Sequence, residues 1–172
     1  MDLQIALPLY LVAEAAVADG HDRLALGQGA DELFGGYAKI ANAPGDHRVA
    51  AETVRGAARE TIDSLPRQLE RDVLALRAAG VEPVVPLLSD RVIDAALRLP
   101  GELLATGDER KIALRRACDF LPEEIRHRDK KAVQYGSLLA REFDRLARQA
   151  GFKRRMDDPL ARFVESGGSG DG

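Results

Sequence analysis

The run Gly27-Gln28-Gly29-Ala30-Asp31-Glu32-Leu33-Phe34-Gly35-Gly36-Tyr37 sets four glycines and two adjacent carboxylates in eleven residues. Gly27 and Gly29 remove side chains where a backbone must approach a ligand or take positive φ. Asp31 and Glu32 place two negative charges just beyond that turn. Adjacent carboxylates repel, so the pair makes chemical sense if a cation such as Mg²⁺ sits between them and a phosphate. Gly35 and Gly36 then let the chain turn sharply again. A second account uses the same residues: glycines make turns, and Asp-Glu at a helix start interacts favourably with the helix dipole. Residue types alone leave both accounts open.

Elements on either side must position this loop. Arg23-Leu24-Ala25-Leu26 is short and apolar, bounded by Asp22 and Gly27, and reads as a buried strand. In open α/β sheets, ligands bind beyond the carboxyl ends of strands. Upstream, Ile5, Leu9, Val12, Ala13 and Ala16 form an apolar stripe that predicts a helix over 3–18, capped by Gly20. A helix, a tight turn and a strand are half of a parallel crossover unit, so partner strands are expected from elsewhere.

After Tyr37 the pattern is helical. Val54, Ala58 and Ile62 predict a helix over 48–62. Leu69, Val73 and Leu76 predict another, opened by Pro66 and closed near Gly80. Residues 81–88 are apolar but hold Pro83 and Pro86, which predicts an ordered connection rather than a strand. Ser89 or Asp90 caps a helix carrying Val92, Ile93, Ala96 and Leu97, and Pro100 stops it. Further helices are expected over 111–120 and 137–149. The glycine- and serine-rich stretch 166–172 is expected to be a flexible tail. Together these features predict an α/β fold, mostly helical, with one short parallel strand followed by a helical part.

Composition narrows the classes. A chain of 172 residues, 45% hydrophobic and 31% charged, is expected to build one compact domain with a core. Cys118 is the single cysteine, so no disulfide framework exists and a reducing, cytoplasmic location is expected. It is read as a small buried residue inside a helix. A net charge of −3 gives no electrostatic case for nucleic acid. The apolar run 5–13 is too short to span a bilayer, and Asp2 argues against a secretory leader, so no membrane partner is expected. His21, His47 and His127 show no metal-ligand spacing. The basic cluster 126–131 reads as a solvated surface.

Four blocks in order turn these separate signals into one. The glycine-acid run is followed by Arg71-Asp72, Gly80-Val81-Glu82 and Pro86-Leu87-Leu88, then by Lys111-Ile112-Ala113-Leu114-Arg115, then by Leu121-Pro122, Ile125, Arg128, Lys130 and Gly136. Their order resembles the synthetase domain of the asparagine synthetase family. The resemblance implies a partial adenine-nucleotide-hydrolase-like, Rossmann-like unit over 1–150, with 151–172 as a tail. It implies ATP and Mg²⁺ as cofactors, adenylation of the aspartate side chain, and displacement of AMP by ammonia, supplied free or by a glutaminase domain. Carried onto this chain, it implies that Gly27 contacts the nucleotide through its backbone and that Gly29 belongs to the same cradle. Asp31 would hold the metal and pyrophosphate, with Glu32 supporting that site or the loop. Lys130 would neutralise charge developing on the phosphates, and Lys111 would assist. Gln28 would act in the ammonia step.

Departures from the family pattern open two further readings. The family's Ser-Gly-Gly-x-Asp-Ser phosphate loop precedes the region matched by 3–18, and no such run with flanking strand and helix lies in these 172 residues. The chain is therefore expected to be the second half of a synthetase domain, partnered by the missing first half. Gln28 stands where many members carry a glutamate; glutamine orients a nucleophile but takes no proton at neutral pH. Val84 and Ser89 replace an arginine and an aspartate common at those positions. These differences point to a paralogue with another carboxylate acceptor. A non-catalytic helical binding module is the remaining alternative.

Overall fold

The computed structural model of the chain describes residues 2–43, 45–129 and 136–152. The chain divides into two compact units, Tyr10–Asp129 and a smaller one built from Met1–Leu9 with Lys130–Gly172.

Helix α1 spans Asp2–Ala18 despite Pro8, which gives up one helical hydrogen bond. Gly20, at φ +84°, ends it, and the His21 amide donates to the Ala16 carbonyl at 2.9 Å. Strand β1 (Arg23–Ala25) follows.

The sheet corrects the expectation for residues 81–88. Glu82–Val84 is a strand, β2, and it pairs with β1 in parallel, Leu24 opposite Pro83. The partner of β1 thus comes from this chain. Two prolines argued against a strand here because proline cannot donate to a ladder. The ladder avoids the problem. Glu82 N–H donates to Asp22 O and Val84 O accepts from Leu26 N–H, both at 2.9 Å. Pro83 sits between these bonding residues, where alternation turns its nitrogen away from β1. Pro86 opens a 3₁₀ turn, Pro86–Leu88, beyond the strand.

Helices make the crossover from β1 to β2: α2 (Ala30–Leu33), α3 (Ala38–Ala41), α4 (Val54–Ile62) and α5 (Leu65–Ala78). The predicted helix over 48–62 starts only at Val54. Thr53 caps it, its hydroxyl accepting from Gly56 N–H at 3.0 Å. The segment before it is held otherwise, the Glu60 carboxylate accepting from the amides of Ala50 and Ala51 at 3.0 and 3.2 Å. After β2 come α6 (Asp90–Leu97), α7 (Gly101–Leu104), α8 (Ile112–Ala117) and α9 (Glu123–Arg126). Helix α8 stops before Phe120, so Cys118 is a half-buried cap residue rather than an interior one. In the smaller unit, α10 (Leu139–Gln149) begins after Leu138, whose φ of 60° interrupts any earlier helix. The predicted tail, 166–172, lies outside the described residues.

Among the described residues, two apolar clusters pack in the larger unit. Ile40, Ala43, Ala57, Ala58 and Leu104 form one. Leu33, Phe34 and Ala96 form the other, with Ile62, Leu88, Val92 and Leu114 packed against them. Leu33 and Phe34 belong to the glycine-acid run, at 2% and 8% exposure. Each such side chain contributes about 1.5–3 kcal/mol on burial, so the loop is anchored in the core directly behind its carboxylates.

Candidate functional site

The loop leaves the sheet where the parallel ladder ends. Gly27 is exposed and follows Leu26, whose amide makes the last bond to β2. Gly29 takes φ +86° and opens α2, and a Cβ there would lie 2.4 Å from Leu88 Cδ2. The backbone angle disfavours a side chain there, and one would have to displace the end of the Leu88 side chain. The Leu33 amide donates to Gly29 O at 2.9 Å, and the Gly36 amide donates to Asp31 O at 2.7 Å. The eleven residues thus close on themselves as one compact turn-helix-turn.

Within it the two carboxylates diverge, and each meets its own partner. Asp31 Oδ1 lies 2.8 Å from Lys111 Nζ, with about a fifth to a quarter of each side chain exposed (21% and 24%). Gly36 makes room for this pair. A Cβ on it would stand 1.9 Å from Asp31 Oδ1 and 2.6 Å from Lys111 Cε. Lys111 itself sits at φ 58°, in the left-handed region, directly before α8. Such a conformation costs about 1 kcal/mol or more and persists only where the surroundings hold it.

Glu32 faces inward, 5% exposed, and accepts from the Tyr37 hydroxyl at 2.6 Å. Burial, then the hydrogen bond to Glu32, pushes the Tyr37 phenol well above its usual range, so it stays a proton donor. The repulsion between the two carboxylates is thus relieved within the protein, by a lysine on one and a phenol on the other.

Gln28 is fixed from a third side. Its Nε2 donates to Asp72 Oδ2 at 3.1 Å, and Arg71 Nε donates to Asp72 Oδ1 at 2.8 Å. Around Lys111, Arg110 Nη1 donates to Gly36 O at 3.2 Å. Arg115 joins the Arg110 and Arg126 carbonyls, at 2.9 and 2.7 Å, and so links the start of α8 to the end of α9.

Of the residues singled out from the sequence, Gly27, Gln28, Gly29, Asp31, Glu32 and Lys111 lie on or against this loop. Lys130 lies outside the described residues. Sequence reasoning read Gly36 as a turn residue and Tyr37 as packing the end of the loop, and gave no role to Asp72 or Arg110. Arg71-Asp72 stood out only as a motif block. Among the described residues no group of three His, Cys, Asp or Glu side chains could hold a metal ion by itself. A magnesium ion takes one or two carboxylates and completes its shell with water and phosphate oxygens. Asp31, a partly exposed carboxylate whose Oδ1 is met by Lys111, could supply one such ligand. No helix among the described residues is long and apolar enough to cross a membrane.

Known proteins carry the same pattern. The family described as asparagine synthase matches residues 2–75 and 41–162. A Methanocaldococcus jannaschii protein assigned as a glutamine-hydrolysing asparagine synthetase is 30% identical over 93% of this chain and 36% of its own length. Asparagine synthetase B of Escherichia coli, glutamine-hydrolysing, is 29% identical over 78% of this chain and 24% of its own. Asparagine synthetase 1 of Arabidopsis thaliana, also glutamine-hydrolysing, is 31% identical, again over 78% of this chain and 24% of its own. The chain spans between a quarter and about a third of the length of these curated relatives. A match that runs through the loop, both strands and the Lys111 helix places the chain in the asparagine synthase family.

Proposed function

We propose that this chain, over residues 1–150, is the second half of a synthetase domain that amidates aspartate at the expense of ATP. The observation that carries this reading is the Asp31–Lys111 pair, held at 2.8 Å in a glycine-lined loop beyond the carboxyl end of a parallel strand. Such a place suits a triphosphate. Gly27 offers exposed backbone to the nucleotide, and Gly29 keeps the turn tight beneath it. Asp31 would hold Mg²⁺, which when bound neutralises pyrophosphate as it leaves. Lys111 gives up part of its contact with Asp31 to a phosphate oxygen. Glu32 keeps the loop in shape through Tyr37 rather than reaching the ligand. Lys130 would neutralise charge on the α-phosphate as the aspartyl-adenylate forms. Ammonia, free or from a glutaminase domain, then displaces AMP.

The sheet supports a missing partner segment. Among the described residues β1 pairs with β2 alone, and Arg23 and Ala25 are exposed. Pro83 blunts the outer edge of β2, which leaves the edge of β1 as the place for another strand. Leu11, Val12 and Val17 on α1 are 45%, 55% and 43% exposed, apolar surface on several sides of the helix that a further segment could cover.

Titration with MgATP tests the reading. A chain extended upstream through a Ser-Gly-Gly-x-Asp-Ser loop is expected to bind MgATP more tightly than the 172 residues alone, and to exchange pyrophosphate into ATP only with aspartate present. Equal affinity in the two proteins removes the half-domain idea, and no binding in either removes the nucleotide site. Exchange supported by another acid instead of aspartate would favour the paralogue suggested by Gln28, Val84 and Ser89.

A further inference from the structure

We propose that Asp72 is the positioning residue of the glycine-acid loop and that it acts through the side-chain amide of Gln28. Asp72 lies on α5 with 6% exposure, among the positions of that helix otherwise buried by Leu65 and Leu76. A carboxylate there is costly unless polar groups meet it. Both of its oxygens are met: Oδ1 by Arg71 Nε and Nη2, each at 2.8 Å, and Oδ2 by Gln28 Nε2 at 3.1 Å.

Gln28 is well placed to transmit this. It stands between Gly27 and Gly29, which have no side chains, so the first turn of the loop has one side chain with which to grip the rest of the protein. That grip is on Asp72. The amide is therefore committed to holding the turn, and through Gly29 it sets where α2 begins and where Asp31 stands. It follows that residue 28 must donate. A carboxylate at that position would face Asp72 as a like charge at hydrogen-bond distance. That the loop faces phosphates is taken from the proposed function; the tether does not depend on it.

Amide hydrogen exchange on the 172-residue chain tests the tether. The Leu33 and Gly36 amides close the loop onto Gly29 O and Asp31 O. In D72A and in Q28E their exchange is expected to quicken by about tenfold or more, with the amides of α5 unchanged. Combining Q28E with D72N exchanges amide for carboxylate across the contact. The combined protein should return to within about threefold of wild type. Unchanged loop exchange, equal acceleration in α5 and loop, or no recovery in the combined protein would each overturn the tether. If D72A does not fold, Q28E and the combined protein decide alone. Absence of MgATP binding would sink the nucleotide reading and leave the exchange result standing.

Discussion

Lys111 Nζ lies 2.8 Å from Asp31 Oδ1, across the space that Gly36 leaves by lacking a Cβ. One residue comes from the loop after β1 and the other from the left-handed turn before α8. The contact joins two of the four sequence blocks that mark the family, and the glycine between them belongs to the first block.

Substituting either end of this pair separates stability from ligand binding. Both side chains are about three-quarters buried or more, so K111M should cost about 1 kcal/mol, more than an open surface pair and less than a fully buried one. D31N should melt close to wild type, since an amide oxygen still accepts from Lys111, yet lose MgATP binding in the upstream-extended protein. Calorimetric melts and titrations on both variants check this; retained MgATP affinity in D31N would remove Asp31 from the site.

Gly36→Ala tests the space itself. Its new methyl would meet Asp31 Oδ1 at 1.9 Å and Lys111 Cε at 2.6 Å, so the ion pair must open. A loss of about 1–3 kcal/mol is expected from chemical denaturation, typical of an overpacked site. The added K111A change should recover part of it, because removing the lysine chain vacates half of the collision.

Tyr37→Phe removes the donor to a glutamate that is 5% exposed, and a loss of about 1–3 kcal/mol follows from an unsatisfied buried acceptor. The alkaline limb carries the sign. The folded phenol titrates above its ordinary value of 10.0, so the native state keeps its proton where the unfolded chain releases it. Its contribution is full below that pH and declines as pH rises beyond it. Melts between about pH 9 and 11 should fall more steeply in wild type than in Y37F.

Much of the frame was legible locally. Gly20 and Gly80 both end helices at positive φ, and the first helix begins and ends within one residue of the range 3–18 predicted for it. Chain reversals and caps depend on a few adjacent residues, so the local pattern suffices for them. Strand β2 was hidden because Pro83 disqualifies a strand only if its missing N–H points at a neighbour, and that depends on which strand lies alongside. The late start of α4 had a signal in Thr53, which competes with the periodicity before it. The short helices α3, α7 and α9 carry too few turns to show any period.

By itself the sequence determined the loop, its place after a short strand and the family that shares both, because glycine spacing and acidic pairs are properties of neighbouring residues; that the strand would be buried is not borne out, since Arg23 and Ala25 are exposed. Only the tertiary structure decided what each polar group of that loop does. Asp31 turns to Lys111, Glu32 to Tyr37 and Gln28 to Asp72, and nothing in the spacing of residues 28, 31 and 32 separates these directions. The reason is physical: a buried or half-buried charge must find its counterpart, and the core packing of Leu33 and Phe34 fixes which counterpart comes within reach.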